Sequence, residues 1–238
     1  RAFKKDFDAI YPDASDKVTC ICNPLDIESV QRNAKKDVAP KCKYFVHVSR
    51  LDIDKDIKTV IRAFDIFSTH HKDVKLYIIG DGVQRQYLQD LAKNNQNIIF
   101  TGQINEPYHM ISGAKALILS STITIGEGLG VVLIEAQALG TLAISSNVPS
   151  GPAEVLMNGD AGILFESRNV NQLADIMQDV IENPKKYKSR IQTATKNLDR
   201  FSARERVKQM IDLIENQPEK SPRNSRIRHS HKYSQKTI

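Results

Sequence analysis

The chain has 238 residues, 40% of them hydrophobic and 26% charged, with a formal net charge of +6; that length allows one large or two small domains and excludes disorder of the whole chain. With 6% aromatics and no Trp, there are too few stacking platforms for a single-strand groove, so no nucleic-acid partner is expected. The last 22 residues hold six basic side chains against Glu219 alone, whereas the other 216 hold 28 basic and 27 acidic, so the excess reads as a solvated tail.

The chain opens on Arg-Ala-Phe-Lys-Lys, without Met or an apolar signal core. No apolar run nears the eighteen or so residues that span a bilayer. It therefore reads as part of a longer protein in a reducing, cytoplasmic compartment. Cys20, Cys22 and Cys42 form no even framework. Cys20 and Cys22 fall on an apolar run, Val18–Cys22, expected as a strand with both thiols as small core residues. Phe7–Tyr11, that strand and Asn23-Pro24-Leu25-Asp26 resemble the end of a preceding domain and a connection, placed at 1–40.

From Lys43 short β-branched runs alternate with helical periods. Tyr44–Val48, Val74–Ile79, Ile98–Thr101, Ala116–Leu119, Leu142–Ser145 and Gly162–Phe165 read as strands. Lys58–Phe67, Gln84–Lys93, Glu106–Ser112, Val131–Leu139, Val170–Glu182, Pro184–Leu198 and Ala203–Glu215 read as helices. The strand runs are almost continuously apolar, which predicts helices on both faces of a doubly wound, parallel, Rossmann-like α/β sheet. A nucleotide-binding domain is expected over 41–183, C-terminal helices over 184–216 and a basic, disordered tail over 217–238. In such sheets ligands sit where strands end and helices begin.

The most informative of those loops is Ser120–Gly130, which follows a buried strand and opens a helix. Glycines at 126, 128 and 130 let backbone approach a ligand, and free amides at the helix start favour an anion such as a diphosphate. Glu127 and Glu135 on one continuous helix would diverge by about 80°. With Glu127 held in the loop, both can face one cleft and accept hydrogen bonds from sugar and ribose hydroxyls. Equally, Glu127 is a helix-start acid favoured by the dipole and Glu135 a surface residue. The loop alone does not choose between these readings.

Arg50 at a strand end and Lys55 at the next helix start shift the balance, since a guanidinium fork and an ammonium beside a glycine-rich helix start suit a phosphate. Asp52-Ile53-Asp54 invites a divalent cation, but Arg50 and Lys55 already supply the positive charge a diphosphate needs, so no metal is expected. Gly80-Asp81-Gly82 suggests a dinucleotide fingerprint, but Arg85 occupies its third glycine position and no strand-plus-acid follows at the required distance. His47, on a strand, reads as a satisfied core residue.

Together these residues resemble the donor-binding half of retaining glycosyltransferases of the GT-B fold, in the family often called family 4. The resemblance runs from about Val18 to Glu215. It rests on Asn23-Pro24-Leu25-Asp26, Ser49-Arg50-Leu51 with Lys55, Ile79-Gly80-Asp81-Gly82, Phe100-Thr101-Gly102, Glu127-Gly128-Leu129-Gly130 through Glu135, and Gly140-Thr141. It implies the C-terminal half of a GT-B fold, with Arg50, Lys55 and the Gly128, Leu129 and Gly130 backbone on the donor diphosphate. Glu135 would hold the ribose, Gln103 and Ile104 the base, and Glu127 would be the catalytic carboxylate over the donor sugar. No metal and no cofactor beyond the nucleotide-sugar substrate is implied.

The implied donor is a UDP-hexose or UDP-N-acetylhexosamine, and the acceptor a glycan or lipid-linked precursor bound mainly by a missing N-terminal domain. The half present would bind nucleotide but transfer no sugar alone. At most the tail adds a weak attraction to an anionic membrane surface, placing the protein peripherally at its inner face. Two departures stand out: the stretch from Ser121 to Glu127 is longer than the common pattern, and Leu142 stands where a proline is usual. A sugar-nucleotide epimerase of the same architecture, or a non-catalytic nucleotide-binding module, are the alternative readings.

Overall fold

A computed structural model describes residues 2–124, 126–149 and 151–216. The basic tail expected at 217–238 lies outside the described residues. Helix α1 (Ala2–Ile10) and a 3-10 segment (Pro12–Lys17) open the chain. The expected strand Val18–Cys22 does not form: the segment is irregular, with both cysteines half-buried rather than in the core. An unexpected short helix, α2 (Ile27–Asn33), follows, and the Asp26 side chain caps it by accepting from the Ser29 amide at 2.9 Å.

The strands are β1 (Lys43–Val48), β2 (Val74–Ile79), β3 (Ile98–Gly102), β4 (Ala116–Leu119), β5 (Ala143–Asn147) and β6 (Ile163–Glu166). All pairings are parallel and the order is β3-β2-β1-β4-β5-β6, the doubly wound α/β arrangement expected of the sequence. The order reverses between β1 and β4, where Phe45 pairs with Ala116 and Val46 with Leu117. Such a reversal opens a crevice above the strands' carboxyl ends.

One face of the sheet is covered by α3 (Ile57–Ser68), α4 (Arg85–Ala92) and α8 (Val170–Glu182). In α3 the residues Ile57, Val60, Ile61, Phe64 and Phe67 recur at helical spacing and are all buried, packing on Phe45, Leu76 and Ile118. The other face receives α2, α5 (Tyr108–Ser112), α6 (Val131–Ala138) and α7 (Gly151–Val155). Helix α5 starts two residues later than expected because Glu106 is left-handed, with φ of 52°, and Pro107 follows it.

The helix expected over Pro184–Leu198 is broken. Only α9 (Lys188–Lys196) is α-helical, with 3-10 segments over Pro184–Tyr187 and Leu198–Phe201 on either side. Tyr187 belongs to the core of the α3 face and Leu198 to that of the α6 face, and one straight helix cannot reach both. Helix α10 (Ala203–Glu215) closes the described chain, and an isolated parallel bridge joins Leu25 to Ser202. No helix among the described residues is long and apolar enough to cross a membrane.

Candidate functional site

The segment after β1 turns through a 3-10 helix, Ile53–Lys55, before α3 begins. Its backbone is tied to the β2 loop, with the Leu51 amide donating to the Asp81 carbonyl at 2.9 Å and the Gln84 amide to the Leu51 carbonyl at 2.9 Å. A Cβ on Gly82 would lie 2.7 Å from the Leu51 carbonyl oxygen. The glycines of Gly80-Asp81-Gly82 are thus accounted for by this close approach of two loops, with no dinucleotide needed.

The loop after β4 meets the same segment. Ser120 Oγ donates to the Lys55 carbonyl at 2.6 Å, and the Thr122 amide donates to the Asp54 carbonyl at 2.9 Å. This contact places Lys55 Nζ 2.7 Å from Glu127 Oε2, across 72 residues of sequence, and 3.6 Å from Asp54 Oδ2. The lysine side chain is 16% exposed and the Glu127 side chain 14%. Two carboxylates share one cation in a half-desolvated pocket at the crevice, so a phosphate arriving there meets a charge already oriented. Ser121 Oγ donates to the same Glu127 oxygen at 2.6 Å.

Arg50 is held differently. Its side chain is 73% exposed and its guanidinium pairs with Asp52 Oδ2 at 2.7 Å, at the rim, while Lys55 pairs with Glu127 and Asp54. The two cations therefore share no carboxylate partner, and Asp52 and Asp54 each face a cation. Among the described residues no group of three or more acidic, His or Cys side chains could hold a metal.

Gly130 caps α6 in the left-handed region, with φ of 70°, and the first amides of that helix have no preceding turn to donate to. A Cβ at Gly128 would meet nothing within 4 Å, so the chain's own packing does not demand glycine there. Gly151 is the opposite case. A Cβ on it would sit 2.4 Å from Leu129 Cα, and its amide donates to the Glu127 carbonyl at 3.0 Å. Gly151 seats the Glu127–Leu129 backbone, a role that only the spatial neighbourhood reveals.

Glu135 lies about one turn into α6, which begins at Val131 as expected. It is half-buried, and burial alone holds its carboxyl above the usual carboxylate range. The Tyr108 hydroxyl is raised by burial and then by the charges of Glu135 and Glu106, which places Tyr108 beside Glu135. Gln103 is exposed, and Ile104, half-buried, packs on the α6-face core together with Tyr108, Leu129 and Val132. The surroundings of Glu135, Tyr108 and Ile104 thus share one apolar layer.

Beneath the site, His47 is fully buried and its Nε2 lies 2.8 Å from Ser49 Oγ. Burial pushes its pKa down to about 4, the Ile118 backbone opposing part of the shift and Lys55 adding to it. Its Nδ1 meets no partner at strict geometry, but the Ile118 backbone hydrogen-bonds the ring, so His47 is a buried core residue as expected. Beside the Ser120–Gly130 loop lies a cleft of ≈ 1140 Å³ lined by Cys20, Cys22, Ile123, Pro149, Glu154 and Arg206 among others. Nothing in the linear pattern signalled it, because the N-terminal segment, the β5 loop and α10 build it jointly.

The chain is similar to proteins already known. The family model described as "Glycosyl transferases group 1" matches residues 30–197. A curated N-acetylgalactosamine-N,N'-diacetylbacillosaminyl-diphospho-undecaprenol 4-alpha-N-acetylgalactosaminyltransferase from Campylobacter jejuni is 29% identical over 202 residues, covering 82% of this chain and 54% of that protein. A poly(ribitol-phosphate) alpha-N-acetylglucosaminyltransferase from Staphylococcus aureus is 24% identical over 173 residues, covering 68% and 34%. The chain thus spans about half the length of the first relative and about a third of the second.

Among solved structures, the Anabaena protein HepE in complex with UDP and glucose superposes with a TM-score of 0.70 at 19% identity, covering 84% of this chain and 57% of that one. A variant of S. aureus TarM, crystallised with Fondaparinux, alpha-GlcNAc-glycerol and UDP, gives 0.69 at 21% identity, covering 82% and 39%. At such identities the likeness establishes the fold.

Proposed function

Starting from the fact that this chain belongs to the glycosyl transferases group 1 family, we propose that it is the donor-binding half of a retaining, metal-independent glycosyltransferase of family 4. Its donor is a UDP-hexose or UDP-N-acetylhexosamine. The relatives named as N-acetylhexosaminyltransferases and the structural neighbours that hold UDP support this choice. The acceptor is a glycan or a lipid-linked precursor, bound by a domain N-terminal to residue 40. The protein works in the cytoplasm, peripheral to the inner face of the membrane.

The observation that carries the proposal is the Lys55–Glu127 contact at the strand-order reversal. It joins a cation suited to the diphosphate with a carboxylate suited to sugar hydroxyls. Breaking the pair without replacement would strand two partly desolvated charges. A diphosphate replaces the partner of Lys55, and the sugar's hydroxyls supply donors to Glu127. Arg50 leaves Asp52 to close on the phosphate from the rim, and the Gly128–Gly130 backbone lies along it at the positive end of α6. Glu135 accepts from the ribose hydroxyls, and Gln103 and Ile104 border the base.

During transfer the bond between the anomeric carbon and the diphosphate oxygen breaks while the acceptor oxygen bonds to that carbon, and the acceptor's proton passes to the leaving phosphate. Charge develops on the diphosphate. Lys55, Arg50 and the α6 amides stabilise it without reorganising, the preorganised form of electrostatic catalysis. Glu127 touches the donor sugar and sets its position.

Calorimetric titration of the chain with UDP, GDP and NAD tests the donor class. UDP is expected to bind tightest, and a preference for NAD would overturn the reading. In the whole enzyme, Glu127→Ala should spare UDP binding and remove transfer, and full transfer by that variant would overturn the role given to Glu127.

A further inference from the structure

The Glu127 carboxylate is fixed through one oxygen only. Oε2 accepts from Lys55 Nζ at 2.7 Å and from Ser121 Oγ at 2.6 Å, while among the described residues Oε1 accepts from nothing. Ser121 is fully buried, and its single hydroxyl proton goes to Glu127. Its backbone is pinned in turn, since Ser146 Oγ, on the neighbouring strand β5 and also fully buried, donates to the Ser121 carbonyl at 2.7 Å. The preceding residue, Ser120, gives its proton to the Lys55 carbonyl at 2.6 Å. Consecutive hydroxyls at the end of β4 thus hold the two halves of the ion pair, one by its backbone and the other by its carboxylate.

The two donors on Oε2 differ in what they can do. Lys55 is the group a diphosphate would recruit, and its flexible stem lets the ammonium move. Ser121 sits on a buried strand end with no other acceptor within reach among its recorded partners, so its proton stays where it is. A carboxylate that kept neither donor would turn about its terminal torsion, which is broad and soft. One that keeps Ser121 presents Oε1 to the crevice in a fixed direction.

We propose that Ser121, seated by Ser146, is a positioning residue that aims Glu127 Oε1 at a hydroxyl of the donor sugar once the diphosphate has taken Lys55. The proposal rests on the donor-site reading above. Ser121 then contributes to recognition of the sugar and not to that of the nucleotide, and it does so through Glu127.

The test is calorimetry on this chain with UDP and with UDP-glucose and UDP-N-acetylglucosamine, for the wild type, Ser121→Ala, Ser121→Thr, Ser146→Ala and Glu127→Ala. A hydrogen bond to a charged group is strong enough that Ser121→Ala should weaken the better UDP-sugar roughly tenfold while leaving UDP within about twofold. Ser121→Thr, which keeps the hydroxyl, should recover most of the loss. Ser146→Ala should shift affinity in the same direction by less, and it serves if the added methyl of threonine disturbs the packing.

A purely structural role would weaken UDP and UDP-sugar alike, and that result would overturn the proposal. So would a loss of UDP-sugar affinity in Glu127→Ala that Ser121→Ala and Ser146→Ala fail to reproduce, the donor-site reading then standing. If the wild type binds neither UDP nor either UDP-sugar, the donor-site reading itself fails and takes this proposal with it.

Discussion

One face of the β1–β4 junction and the carboxyl ends of its strands are built from different materials. On the α3–α8 face, Phe45, Phe64, Phe67, Ile118, Leu173 and Met177 interlock without a polar atom among their side chains. Around the carboxyl ends of the same strands, the buried residues include His47, Ser120, Ser121, Thr122, Ser145 and Ser146. Burying a hydroxyl costs free energy unless it is hydrogen-bonded. Four of these serines have found acceptors: the carbonyls of Lys55, Ser121 and Ser146 and the carboxylate of Glu127. The apolar face supplies stability through area. The polar end gives up that source of stability and gains side chains held at fixed angles, which a binding site requires.

The sharpest way to separate the two regions is Phe64→Ala. Emptying that buried site should cost about 3–5 kcal/mol of stability in urea unfolding, with UDP affinity of the folded protein unchanged. A parallel loss of affinity would mean that the apolar face and the polar end are one cooperative unit.

Acid should strike the polar end next. The folded pKa of His47, about 4, lies below its ordinary value of 6.5, so the unfolded chain takes up the proton first. Stability is therefore lost as pH falls from about 6.5 to about 4, by about 3 kcal/mol at most. Asp179, whose carboxyl is held down to about 2 by Lys186 and Tyr187, adds its loss only below its ordinary value of 3.8. Urea midpoints measured from pH 7 to pH 2 should show the His47 window flattened in His47→Gln and the Asp179 window intact.

Lys55→Ala should weaken UDP roughly thirtyfold by calorimetry, for loss of a charge-assisted contact to the diphosphate. The same change leaves the partly desolvated Glu127 and Asp54 carboxylates without their cation, so the melting temperature should fall as well, and titration well below that temperature separates the lost contact from unfolding. The smallest effect is expected at Glu135. Its folded pKa is raised by burial, so stability is lost as pH rises through the titration and the charged form carries a penalty at neutral pH. Glu135→Gln should therefore melt higher at pH 7, lose that advantage below the ordinary carboxylate range and bind UDP several-fold less tightly. A lower melting temperature at pH 7 would show that the charge is compensated.

How far the linear pattern reached can be followed element by element. Helix α8 and strand β2 fall on the expected spans, Val170–Glu182 and Val74–Ile79, since each is long enough to show its period several times. Helix α2 has seven residues with one buried, Val30, too few for a period, although Asp26 as its cap was a usable signal. The apolar run Val18–Cys22 has strand composition but no recorded ladder partner, and strand composition alone makes no sheet. In the site, the glycine spacing and the cations were visible as residue types, but Gly151 and Ser121 were not. Their roles are set by what they touch.

By itself the sequence determined the alternation of strand and helix, the burial of both sheet faces and the loops in which a ligand site can form. Those properties are periodic and local, written in each residue's neighbours along the chain. Only the tertiary structure decided that Lys55 meets Glu127, that Arg50 rests on Asp52 instead, and that Ser121 and Ser146 stand behind the carboxylate. The reason is strand order. β1 and β4 become neighbours only when the sheet reverses direction between them, and residues 72 apart then share one hydrogen bond.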